Sequence, residues 1–276
     1  MKKALKVISI LAMISLLMVS FSSCKPRSLA IERVVRSSNA FKDDELKKFE
    51  GNVPPTEKTI TFRGKEYRLG YHDTYYDIYN LCPRYLYCEM KEERSSKAMF
   101  YFTYNDDVVY DFTDAERDVI GERVPIDSCV PKAKEIFSEY VNDITQYQIS
   151  TSEYFGGYIV KFTKYVDDIE TADYAKIRFD FDGVFESLTF GCHNKIPADL
   201  DTNLFDMKAI RKAFLNQVKK DNSTDDNKIT DDKLSEEKYK LVRGYDGQYA
   251  FICSVTLYEN TLVIYHVFLE NRFPLS

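Results

Sequence analysis

Apolar residues at spacings of three and four predict two helices in this chain. The first helix is predicted over 131–144, where Pro131 suits the first turn and Ser128 can cap the start. Its apolar stripe is predicted to be buried and consists of Ala133, Ile136, Phe137, Tyr140, Val141 and Ile144. The second helix follows Asp201 or Thr202 as a cap, and its stripe consists of Leu204, Met207, Ile210, Phe214 and Val218.

Alternation of apolar and polar residues between turn formers predicts antiparallel strand pairs. Three of the turns contain a glycine that tolerates the positive φ of a two-residue hairpin: Gly156-Gly157, Asp182-Gly183 and Asp246-Gly247. Another hairpin is predicted about residues 63–65, and the Tyr-rich segment 73–83 is predicted to be a loop. The predicted strands are 59–62, 66–71, 85–90, 98–104, 108–112, 147–154, 158–166, 174–181, 184–190, 239–243, 248–257 and 261–269.

The order of these elements predicts an α+β fold, with antiparallel sheets and helices packed on one face. A helix followed by a β-meander occurs twice, after an N-terminal β-rich region. The predicted organisation is a signal peptide over 1–23, a tether with short helices over 24–57, an N-terminal β-rich region over 58–126, a helix plus four-stranded antiparallel unit over 127–196, and a helix, acidic loop and three-stranded antiparallel unit over 197–276.

Two segments flank these units. In the tether, one short helix is predicted with an apolar side of Leu29, Ile31, Val34 and Val35, and another over 43–49. The acidic segment 221–237 contains only Ile229 and Leu234 as apolar residues. It cannot bury enough surface to offset the entropy lost on ordering, so we predict an exposed loop.

The helix-then-meander layout over residues 127–270 resembles the PepSY-like modules of lipoproteins from Gram-positive bacteria. The resemblance rests on the layout, with strand pairs that turn at Gly-Gly or Asp-Gly, and it covers about half of the chain. It implies an extracytoplasmic interaction or regulatory role, and protease inhibition is proposed for some members. Because the resemblance includes no motif, it assigns no functional residues.

The N-terminal 24 residues have the three parts of a secretory signal. Residues 2–6 contain three lysines, and an uncharged apolar run follows over 7–21. This run is shorter than the ~20 residues that a membrane-spanning helix needs. The sequence therefore predicts export, and the alternative is an uncleaved anchor helix.

The end of this signal, Phe-Ser-Ser-Cys at 21–24, resembles the lipobox of bacterial lipoproteins. Members of that family usually have Leu where Phe21 stands. The resemblance implies that Cys24 receives a diacylglycerol on its sulfur and becomes the first mature residue. Two or more acyl chains hold a protein stably on a membrane. The alternative is ordinary signal cleavage nearby, with Cys24 an incidental thiol.

The charge and aromatic content narrow the choice of partners. The net charge is −6, and loss of residues 1–23 removes three of the 38 basic residues, leaving 35 against 44 acidic residues, or −9. An acidic chain lacks the electrostatic footprint of a nucleic-acid-binding protein. The chain has 21 Tyr and 19 Phe but no Trp, which suits half-buried strands and weighs against a lectin-like role.

The six cysteines become five if Cys24 is lipidated, so they cannot all pair. An oxidising compartment permits disulfides, but spacing does not determine the connectivity. Two pairings are open: Cys82 with Cys88, and Cys129 with Cys192. Cys253 lies in an apolar strand and is predicted to be a buried thiol.

Candidate chemistry is sparse, and we predict no catalytic, cofactor-binding or metal-binding residues. Cys192 and His193 are adjacent in sequence, but a nucleophile pair requires adjacency in space. The segment 221–237 lacks the glycine of a helix-loop-helix calcium site. A glycosidase needs two carboxylates across a cleft, whereas the paired ones here fall at turns or at alternate strand positions: Asp106/Asp107, Asp167/Asp168 and Asp180/Asp182.

The sequence thus predicts a non-catalytic protein on the outer face of the cell membrane, anchored through a lipid on Cys24. Its expected partners are an extracytoplasmic protein or a cell-wall component, and modulation of an exported enzyme is a related role. Two alternatives remain open: a substrate-capturing lipoprotein of a transport system, and an extracytoplasmic hydrolase.

Overall fold

Thirteen strands form one sheet in the part of the chain that the structure describes. The structure is a computed structural model and describes residues 28–49, 51, 53–90, 98–103, 109–113, 121–191, 195–224 and 228–270. The strands are β1 (Ile31–Arg36), β2 (Glu57–Phe62), β3 (Lys65–Asp77), β4 (Cys82–Glu89), β5 (Met99–Thr103), β6 (Val109–Thr113), β7 (Tyr147–Tyr154), β8 (Gly157–Val166), β9 (Ile169–Asp180), β10 (Phe185–Phe190), β11 (Leu234–Arg243), β12 (Tyr249–Leu257) and β13 (Thr261–Leu269).

The sheet joins the two halves of the chain. Its strand order is β1-β13-β12-β11-β9-β10-β6-β5-β4-β3-β2, and β8 pairs with both β7 and β9 beside this path. Neighbouring strands pair antiparallel, except that β9 and β11 pair parallel at Thr171 and Leu241. The α+β class is therefore confirmed, but the sheet is mixed, whereas the sequence predicted purely antiparallel sheets.

The α-helices are α1 (Asn39–Lys47), α2 (Cys129–Ser138) and α3 (Met207–Asn222). In the residues described, no helix is long and apolar enough to cross a membrane. Helix α2 buries Ala133, Ile136 and Phe137 as predicted, but it ends at Ser138, six residues before the predicted end. Ser128 does not cap it with its side chain, because its hydroxyl donates to the carbonyl oxygen of Pro125.

The described residues form two hydrophobic cores along the sheet. Helix α3 buries Phe214 and Val218 in a core shared with β11, β12 and β13. Its cap is Asp206, which accepts from the backbone N–H of Ala209, while the predicted cap Asp201 starts a separate 3-10 turn. Helix α2 and the strands from β2 to β10 form the second core, where Phe137 lies 4.6 Å from the ring of Phe162.

The predicted tether contains a strand of the sheet. Residues 31–36 form β1, which pairs antiparallel with β13, and not the short helix that the sequence predicted. Ile31, Val34 and Val35 are β-branched and favour a strand, and the edge of β13 supplies the hydrogen bonds. Helix α1 overlaps in sequence with the second predicted helix, which was predicted over 43–49. Ser38 caps α1, because its side chain accepts from the backbone N–H of Phe41.

The segment 73–83, which the sequence predicted to be a loop, is a hairpin. Strand β3 continues to Asp77, and β4 begins at Cys82. Asp77 Oδ1 accepts from the backbone N–H groups of Tyr79 and Asn80 and so closes the turn. Pro83 is tolerated because β5 pairs with β4 only from Arg84 onward, so the missing N–H interrupts no ladder to β5.

Candidate functional site

A cleft of about 650 Å³ opens where the two halves of the sheet meet. Its lining comes from β8, β9, β11, β12 and β13, together with Tyr79 from the β3–β4 turn. We call this the seam cleft. Its volume falls within the roughly 300–1,000 Å³ of typical small-molecule sites. The backbone N–H of Tyr245 donates to the carbonyl oxygen of Leu81, which holds the β3–β4 turn against the C-terminal half of the sheet.

The alternation of side chains in β9 divides its residues between the core and the cleft. Ala175 and Ile177 are fully buried in the second core, while Tyr174 and Lys176 line the cleft. The register places Lys161 of β8 directly opposite Lys176. Strand register therefore brings two lysine ammonium groups to the same face of the sheet.

The lining of the seam cleft is cationic, although the chain as a whole is acidic. Its charged residues are one glutamate, Glu170, and four lysines, so the lining has a net charge of +3. The lysines are Lys161, Lys176, Lys238 and Lys240.

Glu170 links the two halves of the cleft. Its Oε1 atom lies 3.4 Å from the Lys161 ammonium and 3.0 Å from that of Lys240. Burial opposes ionisation of this carboxyl, but the hydrogen bonds and charges of the two lysines lower its pKa. The pKa of Lys176 is lowered by burial and by the nearby charges of Arg178 and Lys161. The crowded cations make this end of the cleft favourable for an anion.

Tyr174 forms the centre of the cationic end. The Lys161 and Lys240 ammonium groups lie 5.7 and 5.5 Å from the centre of its ring, within the range of cation–π attraction. Burial raises the pKa of its hydroxyl to about 12, and Asn80 of the β3–β4 turn hydrogen-bonds to that hydroxyl. The phenol is therefore neutral at physiological pH and is held in place from the opposite wall.

The other end of the seam cleft is apolar. Ile252 of β12 and Ile264 of β13 form its floor, and Leu262 and Tyr79 lie at its rim with 59% and 52% of their surfaces exposed. Large apolar residues that converge at one opening, unlike single ones scattered on a surface, indicate a binding site.

A buried ion pair supports the wall of the cleft. Asp77 Oδ2 lies 2.7 Å from a terminal nitrogen of Arg84, a side chain that is only 1% exposed. Asp77 also accepts from the amide nitrogen of Asn80, and Arg84 donates to the carbonyl oxygen of Phe190. This network ties the β3–β4 turn to β10, so it fixes the position of the wall relative to the floor.

Asp111 lies on the same face of the sheet, opposite Thr189 of β10 and Tyr101 of β5. Burial raises the pKa of its carboxyl to about 6, although Arg84 and a hydrogen bond from Thr189 oppose the shift. The sequence did not predict this carboxylate, because its burial depends on strands that are distant in the chain.

A second cavity of about 270 Å³ lies beside the end of helix α2. The Oδ1 atom of Asp173 accepts from the hydroxyl of Tyr147 and from the Lys195 ammonium, at 3.0 and 2.9 Å. Its Oδ2 atom is buried and has no hydrogen-bond partner among the described residues. The buried Lys164 ammonium donates to the carbonyl oxygen of Ile196 at 2.6 Å. The arrangement is an internal ion pair at a small opening.

One of the two cysteine pairings that the sequence left open, Cys82 with Cys88, is not formed. Cys82 and Cys88 both belong to β4, and six steps of about 3.3 Å along a strand exceed the Cα separation of about 4.4–6.8 Å in a disulfide. Neither is disulfide-bonded, and Cys129 is a buried free thiol, as is Cys253, which agrees with the prediction for Cys253. Cys192, the possible partner of Cys129, lies outside the described residues, as do Cys24 and His193.

The acidic segment 221–237 is shorter as a loop than predicted. Helix α3 includes its first two residues and β11 includes its last four. Ile229 is buried, and the Lys219 ammonium lies 2.8 Å from Asp231. Residues 225–227 lie outside the described part. Within that part, no group of three or more His, Cys, Asp or Glu side chains is placed to hold a metal ion.

The carboxylates that the sequence singled out have local roles where they are described. Asp167 accepts from the hydroxyl of Thr202, and Asp182 accepts from the backbone N–H groups of Gly121 and Val184. Asp106 and Asp107 lie outside the described residues. The sequence did not predict the lysines of the seam cleft. A signal was present, because residues that face the cleft side alternate with others in β9 and β11. They are Tyr174, Lys176 and Arg178 in β9, and Lys238 and Lys240 in β11.

Comparison with known proteins gives a weak structural similarity. No protein-family model matches the chain, and no curated protein is significantly similar to it. Among solved structures, it resembles the Bacillus megaterium YpeB C-terminal domain, with 11% sequence identity and a TM-score of 0.33. The match covers 86% of this chain and 100% of that domain. A TM-score this low carries no argument about function.

Proposed function

We propose that this protein is a non-catalytic lipoprotein of the outer face of the cell membrane, which binds an extracytoplasmic partner in the seam cleft. The partner is a cell-wall component or an exported protein, and binding to an exported enzyme would modulate that enzyme. The observation that supports binding is the cationic lining of a cleft in an otherwise acidic chain. The proposed anchor is the diacylglycerol on Cys24.

We also propose that the chain carries two PepSY-like helix-then-meander modules. Helix α2 precedes the antiparallel strands β7 to β10, and helix α3 precedes β11 to β13. The seam cleft lies between these two modules, and its lining includes strands from both. This position also favours a second candidate function, capture of a small molecule for a transport system.

The anchor is tested by membrane fractionation of the Cys24→Ala protein. We expect wild type in the membrane fraction, and the variant either released or left unprocessed at a higher apparent mass. Cys253→Ala is the matched control, because that thiol is buried in the core and plays no part in anchoring. A Cys24→Ala protein that fractionates and migrates like wild type contradicts the anchor.

The binding function is tested with isolated cell-wall sacculi and the full-length protein in membrane vesicles. The Lys176→Gln, Lys238→Gln double variant removes two cleft charges and leaves the lysines that neutralise Glu170. We expect this variant to be retained less than wild type. Lys134→Gln, an exposed lysine on helix α2, is the control and should bind normally. The experiment is repeated with exported proteins in place of sacculi. If wild type, the double variant and Lys134→Gln are retained equally in both experiments, the proposal is contradicted.

A further inference from the structure

The seam cleft combines two unlike surfaces in one opening. Lys161, Lys176 and Lys240 surround Tyr174 at one end, where β8 and β9 meet β11. Ile252, Ile264 and the exposed Leu262 form the other end, with Tyr79 above them. A ligand that fills the cleft therefore meets ammonium groups at one end and aliphatic side chains at the other.

The cationic end has more positive charge than the protein compensates. Glu170 neutralises part of the charge of Lys161 and Lys240, whose side chains are 32% and 29% exposed. Lys176 lies on the same face as Arg178 and Lys161, and the nearest carboxylate along that row is Asp111. An anionic group placed here would lower the electrostatic repulsion among the lysines.

The apolar end leaves hydrocarbon surface in contact with water. Leu262 and Ile264 lie on the same side of β13, two residues apart, and Ile252 lies on the neighbouring β12. Covering apolar surface stabilises a complex by about 25 cal/mol per Å². An aliphatic chain would cover this surface, whereas a free inorganic anion would not.

Building on the proposed binding function, we propose that the ligand of the seam cleft is an anionic amphiphile: a carboxylate or phosphate head group joined to a single aliphatic chain. The head group lies among Lys161, Lys176 and Lys240, and the chain lies along Ile252, Leu262 and Ile264. Tyr79 covers the chain, and the ring of Tyr174 lies beside the Lys161 and Lys240 ammonium groups that face the head group. A fatty acid and a single-chain phospholipid share this chemistry.

The test uses the full-length protein in phosphatidylcholine nanodiscs, with empty nanodiscs to subtract partitioning of the probes into lipid. Calorimetric titration compares decanoate and decyl phosphate, both below micelle-forming concentration. Acetate and inorganic phosphate supply the head group alone, and decyltrimethylammonium supplies the chain with the opposite charge. We expect saturable binding of the two anionic amphiphiles and none of the other three probes. Which head group binds more tightly distinguishes a fatty-acid source from a phospholipid source.

Two cleft variants and two controls assign this binding to the cleft. Lys176→Gln with Lys238→Gln removes one lysine of the cationic end and a further lysine of the cleft lining, and it keeps Lys161 and Lys240 to neutralise Glu170. Leu262→Ser with Ile264→Ser weakens the apolar end. We expect each pair to raise the dissociation constant about tenfold or more, which corresponds to about 1.4 kcal/mol. Lys134→Gln and Ile149→Ser, which change exposed residues outside the cleft, should bind like wild type. Thermal unfolding of each variant establishes that it is folded.

Several results would overturn the inference. Inorganic phosphate that binds as tightly as decyl phosphate would show a simple anion site, and decyltrimethylammonium that binds as tightly would show a nonspecific apolar site. If no amphiphile binds but sacculi still require Lys176 and Lys238, the amphiphile is wrong and the proposed binding function stands. If the cleft variants change neither the binding of the amphiphiles nor the binding of sacculi, both proposals are wrong.

Discussion

Gly191 lies against the ring of Tyr174, so close that a side chain at position 191 has no room. A Cβ atom built there would be 2.0 Å from the carbonyl oxygen of Ala172 and 2.4 Å from two carbon atoms of the Tyr174 ring. The backbone N–H of Gly191 donates to the carbonyl oxygen of Tyr174 at 2.8 Å. The orientation of Tyr174 in the seam cleft thus depends on the absence of a side chain one strand away.

Gly191→Ala is therefore expected to destabilise the protein and to displace Tyr174. Overpacking a well-packed site typically costs about 1–3 kcal/mol, measured here by urea unfolding. Gly70→Ala is the control, because the nearest atom to its new methyl group is the flexible Met90 side chain at 3.4 Å. A Gly191→Ala protein as stable as the Gly70→Ala protein would show that the close approach is absent.

The Asp77–Arg84 pair should contribute far more to stability than an exposed pair of similar length. Arg84→Ala leaves the Asp77 carboxylate, whose side chain is only 12% exposed, without its cation. Breaking a buried pair costs about 3–5 kcal/mol. Arg123 and Glu153 also lie 2.7 Å apart, but both are more than half exposed. Glu153→Ala should therefore cost about 0–1 kcal/mol. Equal losses in urea unfolding would contradict the assigned burial.

Phe137→Ala should destabilise the second core. The side chain is fully buried, and its ring packs against Tyr147 and Phe162 at 4.9 and 4.6 Å. Truncating such a residue typically costs about 3–5 kcal/mol. Phe155→Ala is the matched control, because Phe155 is fully exposed at the β7–β8 turn and its loss should change stability by less than about 0.5 kcal/mol. Unfolding curves that coincide for the two variants would rule out a core position for Phe137.

His266 should make the protein less stable in mild acid. Burial lowers the pKa of its imidazole from 6.5 to about 4, although its hydrogen bond to the Ile78 carbonyl opposes the shift. Between these values the unfolded chain binds the proton and the folded chain does not. The contribution of His266 to stability is thus complete above pH 6.5 and is lost as the pH falls toward 4, by up to about 3 kcal/mol.

The measurement is the difference in unfolding free energy between wild type and His266→Gln from pH 7 to pH 4. Taking the difference removes the contribution of Asp111, whose raised pKa of about 6 acts with the opposite sign over the same range. We expect the advantage of wild type over the variant to shrink with acidification. A difference that does not change with pH would contradict the lowered pKa.

The sequence predicted the local elements well where one chemical signal dominated. Gly64, Gly156, Gly183 and Gly247 all have positive φ at hairpin turns, as the turn residues indicated. Strand β13 has the bounds that the β-branched run predicted. The prediction failed for β1 and for the end of β3, because the hydrogen bonds that order these strands come from β13 and β4. Strand preference depends on such neighbours as well as on the local residues.

By itself, then, the sequence determined the α+β class, α1, α2 and α3 in outline, most hairpin turns and the acidic balance, because each depends on residues close together in the chain. Only the tertiary structure decided the site. Lys161 meets Lys176 through the β8–β9 register, and Glu170 meets Lys240 because β9 and β11 pair in parallel. Ile264 comes from a third part of the chain, near its C-terminal end. Strand pairing brings these residues together over long sequence separations, and alternation within each strand shows which side chains share a face but not which strands become neighbours.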